Sequence, residues 1–541
     1  MHPVGLTGIF MNASQSATSH FMKYSPATGD ALGEYPIASE TEVTSAVAQA
    51  RIAQAVWHDT PLKVRSQLLE AVLNRLYARS QAVAQTISQE IGKPLADALE
   101  ADVGTALSAL KYYADLGPRK LRPRMLPNDM ISLITGRAHW ETFHPRGVIA
   151  VISPWNYPLA IPMSGIATAL MAGNTVILKP SELTPGTGQL LVELFQEALQ
   201  ALNLPTHLVS LLQGDGATGA RLLDEPIDGV IFTGSAAVGQ KIRRLTSEKG
   251  IWCSLELGGS DAMLVLPGCD LDKIASYALW GRFTNAGQAC AGVKRLFVPQ
   301  ELEQPLLALL QDKISQLKVG SPENPANHMG PLISEAQRNL LSAQVADALT
   351  LGASCLIGGK PKAGPGWFYE PTLLSNVPKE ARILQEEVFG PVLPVIPYAS
   401  VSEAIAQINA SPYGLTTSLF GPTDQARVLA PQLACGTVVI NDVGPSNYAM
   451  LSAPWGGWKA SGSGVSHGER ALLELCQIQI LSENRFFSWP VVGKPMWLFG
   501  HNPQDLPARA QTVLAFSSHH LSLWCPLRWL PFWQNRDKTR I

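Results

Sequence analysis

Apolar positions recur at three- and four-residue spacing across residues 42–115, as at Leu68, Leu69, Val72, Leu73 and Leu76, and predict helices with one buried face. Residues 130–144 alternate instead. Thr135-Gly136-Arg137 lies in the middle, which predicts a β-hairpin with a glycine-containing turn. Beyond Gly147 the rhythm changes again. Short apolar runs at 147–152, 175–178 and 229–232 end in Ser-Pro, Lys-Pro and Thr-Gly-Ser. Helical stretches separate them, such as 164–172, closed by Gly173 at a C-cap position. Strands alternating with helices predict right-handed βαβ units and a parallel sheet buried on both faces. A second series follows Glu256, with strands expected at 295–298, 393–396 and 437–441. The boundary is expected near Gly258-Gly259, where two glycines permit a sharp change of direction.

The ends of the chain break this pattern. Residues 1–20 lack a basic segment followed by an apolar core and read as a flexible extension, not a signal peptide, with Met11 as an alternative start. The tail over 485–541 is aromatic-rich, and its 521–533 segment is broken by Pro526 and Pro531. It is too short to span a bilayer, which takes roughly 18 or more apolar residues. Two readings of it stand: packing against its own body or a sister subunit, and a membrane-surface anchor helped by Arg528, Arg536, Lys538 and Arg540.

Composition narrows the class. At 541 residues the chain exceeds one ordinary core, so two large domains are expected. A formal net charge of -2 gives no electrostatic footprint for a nucleic-acid partner. The seven cysteines are scattered without close pairs, which excludes both a disulfide framework and zinc-ligand spacing; no metal is expected. A reducing, cytoplasmic setting fits, with membrane association as the alternative that the tail leaves open.

Loops at the C-terminal ends of parallel strands bind ligands in α/β proteins, and here they carry unusual polar residues. Pro154-Trp155-Asn156-Tyr157-Pro158 sets an amide between two prolines, either an oxyanion donor or a structural Asx turn. Lys179-Pro180-Ser181-Glu182 places a cation and a carboxylate where ribose hydroxyls could bind; alone it is also a plain helix start. Thr233-Gly234-Ser235 opens a helix and turns backbone N–H groups toward an anion such as a pyrophosphate. It is not the GxGxxG dinucleotide fingerprint. Glu256 ends an apolar strand before Leu257-Gly258-Gly259, so it is either paired or has a raised pKa suited to a general base. Cys290, in Gly287-Gln288-Ala289-Cys290, is by itself either an exposed thiol or a buried small hydrophobe.

Together and in order, these segments resemble the aldehyde dehydrogenase superfamily, from about Ser25-Pro26-Ala27-Thr28-Gly29 to about Gln479. The likeness includes 386–392 (EEVFGPV), Asn441, and Pro454-Trp455-Gly456-Gly457 with Lys459, Ser461 and Gly462, where Trp replaces the family's Phe. The resemblance implies an α/β architecture in three parts. A Rossmann-like coenzyme domain would occupy 21–129 and 146–257, a catalytic domain 258–445, and an oligomerisation element 130–145 and 446–484. It also implies a homodimer or homotetramer. It assigns Cys290 as nucleophile, Glu256 as base for the hydrolytic water, and Asn156 with the Cys290 N–H as oxyanion donors. Lys179 and Glu182 would take the adenosine ribose, Ser235 the pyrophosphate, Glu387 the nicotinamide ribose, and Phe389 would flank the ring. Trp155, Thr233, Gly234 and Leu257 would line the same coenzyme site. Glu182 would repel a 2′-phosphate, so NAD is ranked ahead of NADP. The implied reaction oxidises an aldehyde to the free acid through a thiohemiacetal and a thioester, because relatives that acylate coenzyme A generally lack the Glu. A coenzyme-independent thiol esterase is the chemical alternative. No Arg marks a site for a carboxylate-bearing aldehyde. The segment 458–477 resembles bacterial members acting on apolar, including carotenoid-derived, aldehydes. Ser260-Asp261 depart from the family's usual Lys after LELGG, which puts the local hinge in doubt.

Overall fold

A computed structural model describes residues 19–129, 132 and 136–485. The described residues divide into two compact units, one of 19–123 together with 142–479, the other of the described residues of 124–141 together with 480–485.

The first unit opens with an antiparallel pair, His20–Tyr24 and Ala31–Pro36. Helices Glu40–His58, Leu62–Ala78, Ser80–Ile91 and Thr105–Lys120 follow. The first starts at a full capping box, in which Ser39 and Glu42 satisfy each other's backbone N–H. The expected apolar face is present: Leu68, Leu69, Val72 and Leu76 are fully buried, and Leu73 packs at their margin. Between the last two helices, Ala98–Gly104 widens into a π-helical segment.

A six-stranded sheet forms the centre of the first half. Its order is Gly462–Ser463, Trp252–Glu256, Gly229–Thr233, Val148–Ile152, Thr175–Lys179 and Val209–Leu211, all parallel except the first. Alternate residues feed two cores: Ile149 and Val151 face one, Val148 and Ala150 the other. Strands buried on both faces explain the unbroken apolar runs. The order reverses between Val148–Ile152 and Gly229–Thr233, a topological switch point of the kind that binds ligands.

The second half is built on a seven-stranded sheet: Ser354–Ile357, Thr372–Ser375, Val392–Tyr398, Arg295–Pro299, Ala262–Val265, Thr416–Phe420 and Thr437–Ile440. Only the Ser354–Ile357 pairing is antiparallel. The chain passes between sheets at Gly258-Gly259, but neither glycine has a positive φ. Close approach, not turn geometry, excludes a side chain there. A Cβ on Gly258 would sit 2.1 Å from Glu387 Oε2, and one on Gly259 3.0 Å from the Cys290 carbonyl. Asp261 is no loose hinge either: its buried carboxylate accepts from Thr416 N at 3.1 Å and Thr416 Oγ1 at 2.6 Å.

In the second unit, Arg124–Met125 pairs antiparallel with the Glu141 and Trp140 end of the strand Arg137–Pro145. The first arm of the hairpin expected at 130–144 lies, but for Ser132, outside the described residues. Ser132 Oγ lies 3.0 Å from His139 Nε2. The aromatic tail from 486 and the extension up to 18 lie outside the described residues. Among the described residues no helix is long and apolar enough to cross a membrane, and no cluster of His, Cys, Asp or Glu is placed to hold a metal.

Candidate active site

The sheet brings the strand-end loops level. Ile152 stands in register with both Lys179 and Phe232, and Thr233 with Glu256. Lys179, Trp155-Asn156, Thr233-Gly234-Ser235 and Glu256-Leu257 therefore share one edge. Ser235 caps the fourteen-residue helix Ala236–Lys249, accepting from Val238 N at 3.4 Å. Its exposed hydroxyl and the free N–H groups of that first turn face outward as an anion-binding end. Gly234 is tightly folded over its own strand: a Cβ would lie 2.6 Å from the Phe232 ring. Lys179 is buried, with Nζ 3.7 Å from Glu182, and burial lowers its pKa against the opposing pull of Glu182 and Asp215. Trp155 and Phe389 meet edge to face at 5.7 Å. A cation, a carboxylate, a helix N-terminus and an aromatic pair along one sheet edge suit the ribose, pyrophosphate and ring of a dinucleotide.

Cys290 arrives from the second sheet. It follows the helix Leu271–Phe283 and a turn in which Asn285, Ala286 and Gly287 all have left-handed backbones, φ 51°, 55° and 73°. Two non-glycine residues in this region are uncommon and store strain. Side chains hold the turn. Asn285 Nδ2 donates to the Asn156 carbonyl at 3.0 Å, and Asn156 Nδ2 donates to the Gln288 carbonyl at 3.1 Å. Asn156 and the Cys290 loop are thus tied by reciprocal bonds. Lys294 Nζ, fully buried, donates to the carbonyls of Ala289 and Cys290 and lies 4.0 Å from Glu387. Glu387 accepts from Gly259 N at 3.0 Å.

The Cys290 thiol stands between two cavities. One of about 200 Å³ is lined by Asp97, Glu100, Tyr157, Ile161, Trp280 and Tyr448, and among the described residues no Lys, Arg or His lines it. The other, about 50 Å³, also holds Glu256. Enclosure pushes the Cys290 thiol up to about 12, opposed by the Lys294 charge and reinforced by Glu387, Asp261 and Glu256. Burial alone drives Glu256 well above the usual carboxylate range, and its Oε1 has no protein partner among the described residues. Burial thus disfavours the charged form of both the thiol and the carboxyl group that lines the same small cavity.

Several residues that sequence reasoning passed over support this arrangement. Lys93 Nζ donates to Asp102 at 2.7 Å and to the Asn156 carbonyl at 2.9 Å, and it lies 4.1 Å over the Tyr157 ring. Asp102 in turn accepts from Leu159 N and Ala160 N at the start of the helix Ala160–Met171. Both partners are fully buried. Their signal in the sequence was slight, a Lys and an Asp nine residues apart in an otherwise ordinary helical stretch. Lys294, four residues after Cys290, was as visible but carried no periodic cue.

Residues 11–481 match the model of the aldehyde dehydrogenase family. The chain is 37% identical over 470 residues to a 4,4'-diapolycopene aldehyde oxidase of a Methylomonas species, covering 87% of this chain and 84% of the relative. Among solved structures it resembles the NAD+ complex of an aldehyde dehydrogenase from Bacillus cereus, with TM-score 0.81 and 30% identity over 86% of this chain and 93% of that one. An NADP-dependent enzyme of E. coli matches at TM-score 0.81 and 30% identity, over 86% and 95%. The chain belongs to the aldehyde dehydrogenase family: it is an enzyme that oxidises an aldehyde to the carboxylic acid with NAD(P).

Proposed function

We propose that Cys290 is the nucleophile of this aldehyde dehydrogenase, Glu256 its general base and Asn156 an oxyanion donor, and that the substrate is an apolar, uncharged aldehyde. The observation that carries the assignment is the position of Cys290, with the substrate-sized cavity on one side and buried Glu256 on the other. Transfer of the thiol proton toward Glu256 frees Sγ to add to the aldehyde carbon. The Asn156 side-chain amide and the Cys290 N–H would take the charge on oxygen, the term that is usually largest in such chemistry. Bound along the sheet edge, the coenzyme supplies the hydride acceptor. Lys179 and Glu182 would hold the adenosine ribose, and Ser235 with the first turn of its helix the pyrophosphate. Thr233, Gly234, Leu257, Trp155, Phe389 and Glu387 would enclose the remainder. Oxidation leaves a thioester on Cys290, and Glu256, once it has released the thiol proton to solvent, deprotonates the water that releases the acid.

Glu182 supports NAD ahead of NADP, since a 2′-phosphate would approach its half-exposed carboxylate. The substrate class rests on the larger cavity. Its rings and aliphatic side chains favour an apolar chain, and Asp97 and Glu100 oppose a second carboxylate. The name of the Methylomonas relative points to the same class of substrate. A homodimer or homotetramer fits the strand-rich second unit.

The test is a panel of aldehydes, from short aliphatic to long-chain, aromatic and carboxylate-bearing, followed by NAD(P)H absorbance with each coenzyme, with Cys290→Ala in parallel. Turnover of long apolar aldehydes that disappears in Cys290→Ala is expected. Full activity in that variant would refute the nucleophile assignment, and a preference for carboxylate-bearing aldehydes would refute the substrate class.

A further inference from the structure

The small cavity behind Cys290 presents more polar atoms than its protein neighbours satisfy. Both ring nitrogens of His467, the Ser466 hydroxyl and Glu256 Oε1 are buried without a partner among the described residues, and all three residues line this space. His467 is 1% exposed. Its backbone is left-handed, φ 67°, an uncommon state for a residue with a Cβ. The Tyr448 ring packs against the imidazole at 4.6 Å.

Buried polar groups are almost always paired with protein or with ordered water, and a buried water takes two to four polar partners. At about 50 Å³ the space has room for about three waters. Glu256, Cys290 and Tyr448 are the titratable groups that line it with His467. The flanking helices present Ser164, Thr168 and Ala471, none of them charged. Burial lowers the His467 pKa to about 4, so the ring is neutral near pH 7, with one nitrogen donating and the other accepting.

We propose that Ser466 and neutral His467 anchor a file of waters to the free carboxyl oxygen of Glu256, and that this file carries away the proton Glu256 takes from the hydrolytic water. The idea rests on Glu256 being the base. In the step itself, Glu256 gains one proton and the hydroxide so formed adds to the thioester carbon. The C–S bond breaks, the electron pair returns to Cys290 Sγ, and the acid leaves. The proton on Glu256 passes to the nearest water of the file while the last water of the file releases one to solvent. Glu256 is again a carboxylate, and no oxidant or reductant is consumed. Ser466 and His467 touch water, not substrate, and are positioning residues.

The test compares wild type with His467→Phe, His467→Gln and Ser466→Ala in the full-length chain, using octanal and NAD in rapid-mixing and steady-state assays. His467→Phe is expected to lower kcat about tenfold or more by slowing thioester hydrolysis. The rapid formation of about one NADH per site should then stand out as a burst, at a rate within about threefold of wild type. His467→Gln, which keeps a donor and an acceptor, should recover most of kcat. A folded His467→Phe with wild-type kcat and burst would overturn the proposal. Should that variant not fold, Ser466→Ala decides: a lower kcat with an unchanged burst rate supports the file, and unchanged kcat overturns it. Glu256→Gln serves as the separate control, because turnover retained there would refute the base assignment itself.

Discussion

Replacing Lys93 by Met leaves the Asp102 carboxylate fully buried without its cation. In the native fold Lys93 Nζ sits 2.7 Å from Asp102 Oδ2, with both side chains inaccessible to solvent. Removing one member of such a pair typically costs ~3–5 kcal/mol, because the remaining charge is stranded in a medium of low polarizability. Here Asp102 keeps two backbone donors, Leu159 N at 3.2 Å and Ala160 N at 3.3 Å, at a helix N-terminus that itself favours a negative charge by up to ~2 kcal/mol. The expected loss therefore lies near the lower end, ~3 kcal/mol, which for 541 residues should lower the melting temperature by about 3 °C. The same lysine fixes the Asn156 carbonyl, so kcat should also fall. The upper bound is the ~10²–10³-fold seen for loss of an oxyanion donor, since Asn285 still holds that carbonyl. Calorimetry and steady-state kinetics on Lys93→Met, Asp102→Leu and the double variant provide the assay. The double variant should melt above either single one, as replacing both partners is close to neutral. A Lys93→Met protein that melts within about 1 °C of wild type, or a double variant no better than the worse single, would refute the reasoning.

Three further outcomes follow from the same geometry. Burial raises the Glu256 pKa, and the base acts only when deprotonated, so kcat should be lost as pH falls through that raised value. The acidic limb of the pH profile is expected well above the usual carboxylate range, and a limb near pH 4.5 would count against burial as the governing effect. Glu182→Ser should lower the KM for NADP by about tenfold while changing that for NAD much less, and an unchanged ratio of the two would sink the charge-repulsion argument. Asp97→Asn combined with Glu100→Gln should raise kcat/KM for a carboxylate-bearing aldehyde relative to octanal by about tenfold; no change would mean the acidic lining does not select.

The strand-end loops were legible because local chemistry marks them. Val148–Ile152 and Thr175–Lys179 are short apolar runs cut off by polar residues, and a strand buried on both faces needs that pattern. The helical face through Leu68 and Leu76 was equally plain, since burial repeats with the helix period. The hairpin was harder to place. Alternation is a statement about one strand and leaves its partner open, and Arg124–Met125, too short to show a pattern, is the segment that pairs with Trp140 and Glu141.

By itself, then, the sequence determined the strand–helix alternation, the polar loops and the family likeness, because each is written in neighbouring residues. The three-dimensional structure decided which residues meet. Cys290 taken alone is one thiol among seven, with the ordinary reading of a buried small hydrophobe. Its neighbours come from both sheets: Asn156 through the Gln288 carbonyl, Lys294 on its own carbonyl, Glu256 across the small cavity. The Gly258-Gly259 pair looked like a source of backbone freedom but is required by the close approach of Glu387 and of the Cys290 carbonyl. The pKa values belong to the same category. A carboxylate or thiol has its ordinary value in any sequence. It shifts only when tertiary packing removes the water around it, and desolvation depends on the whole surrounding fold.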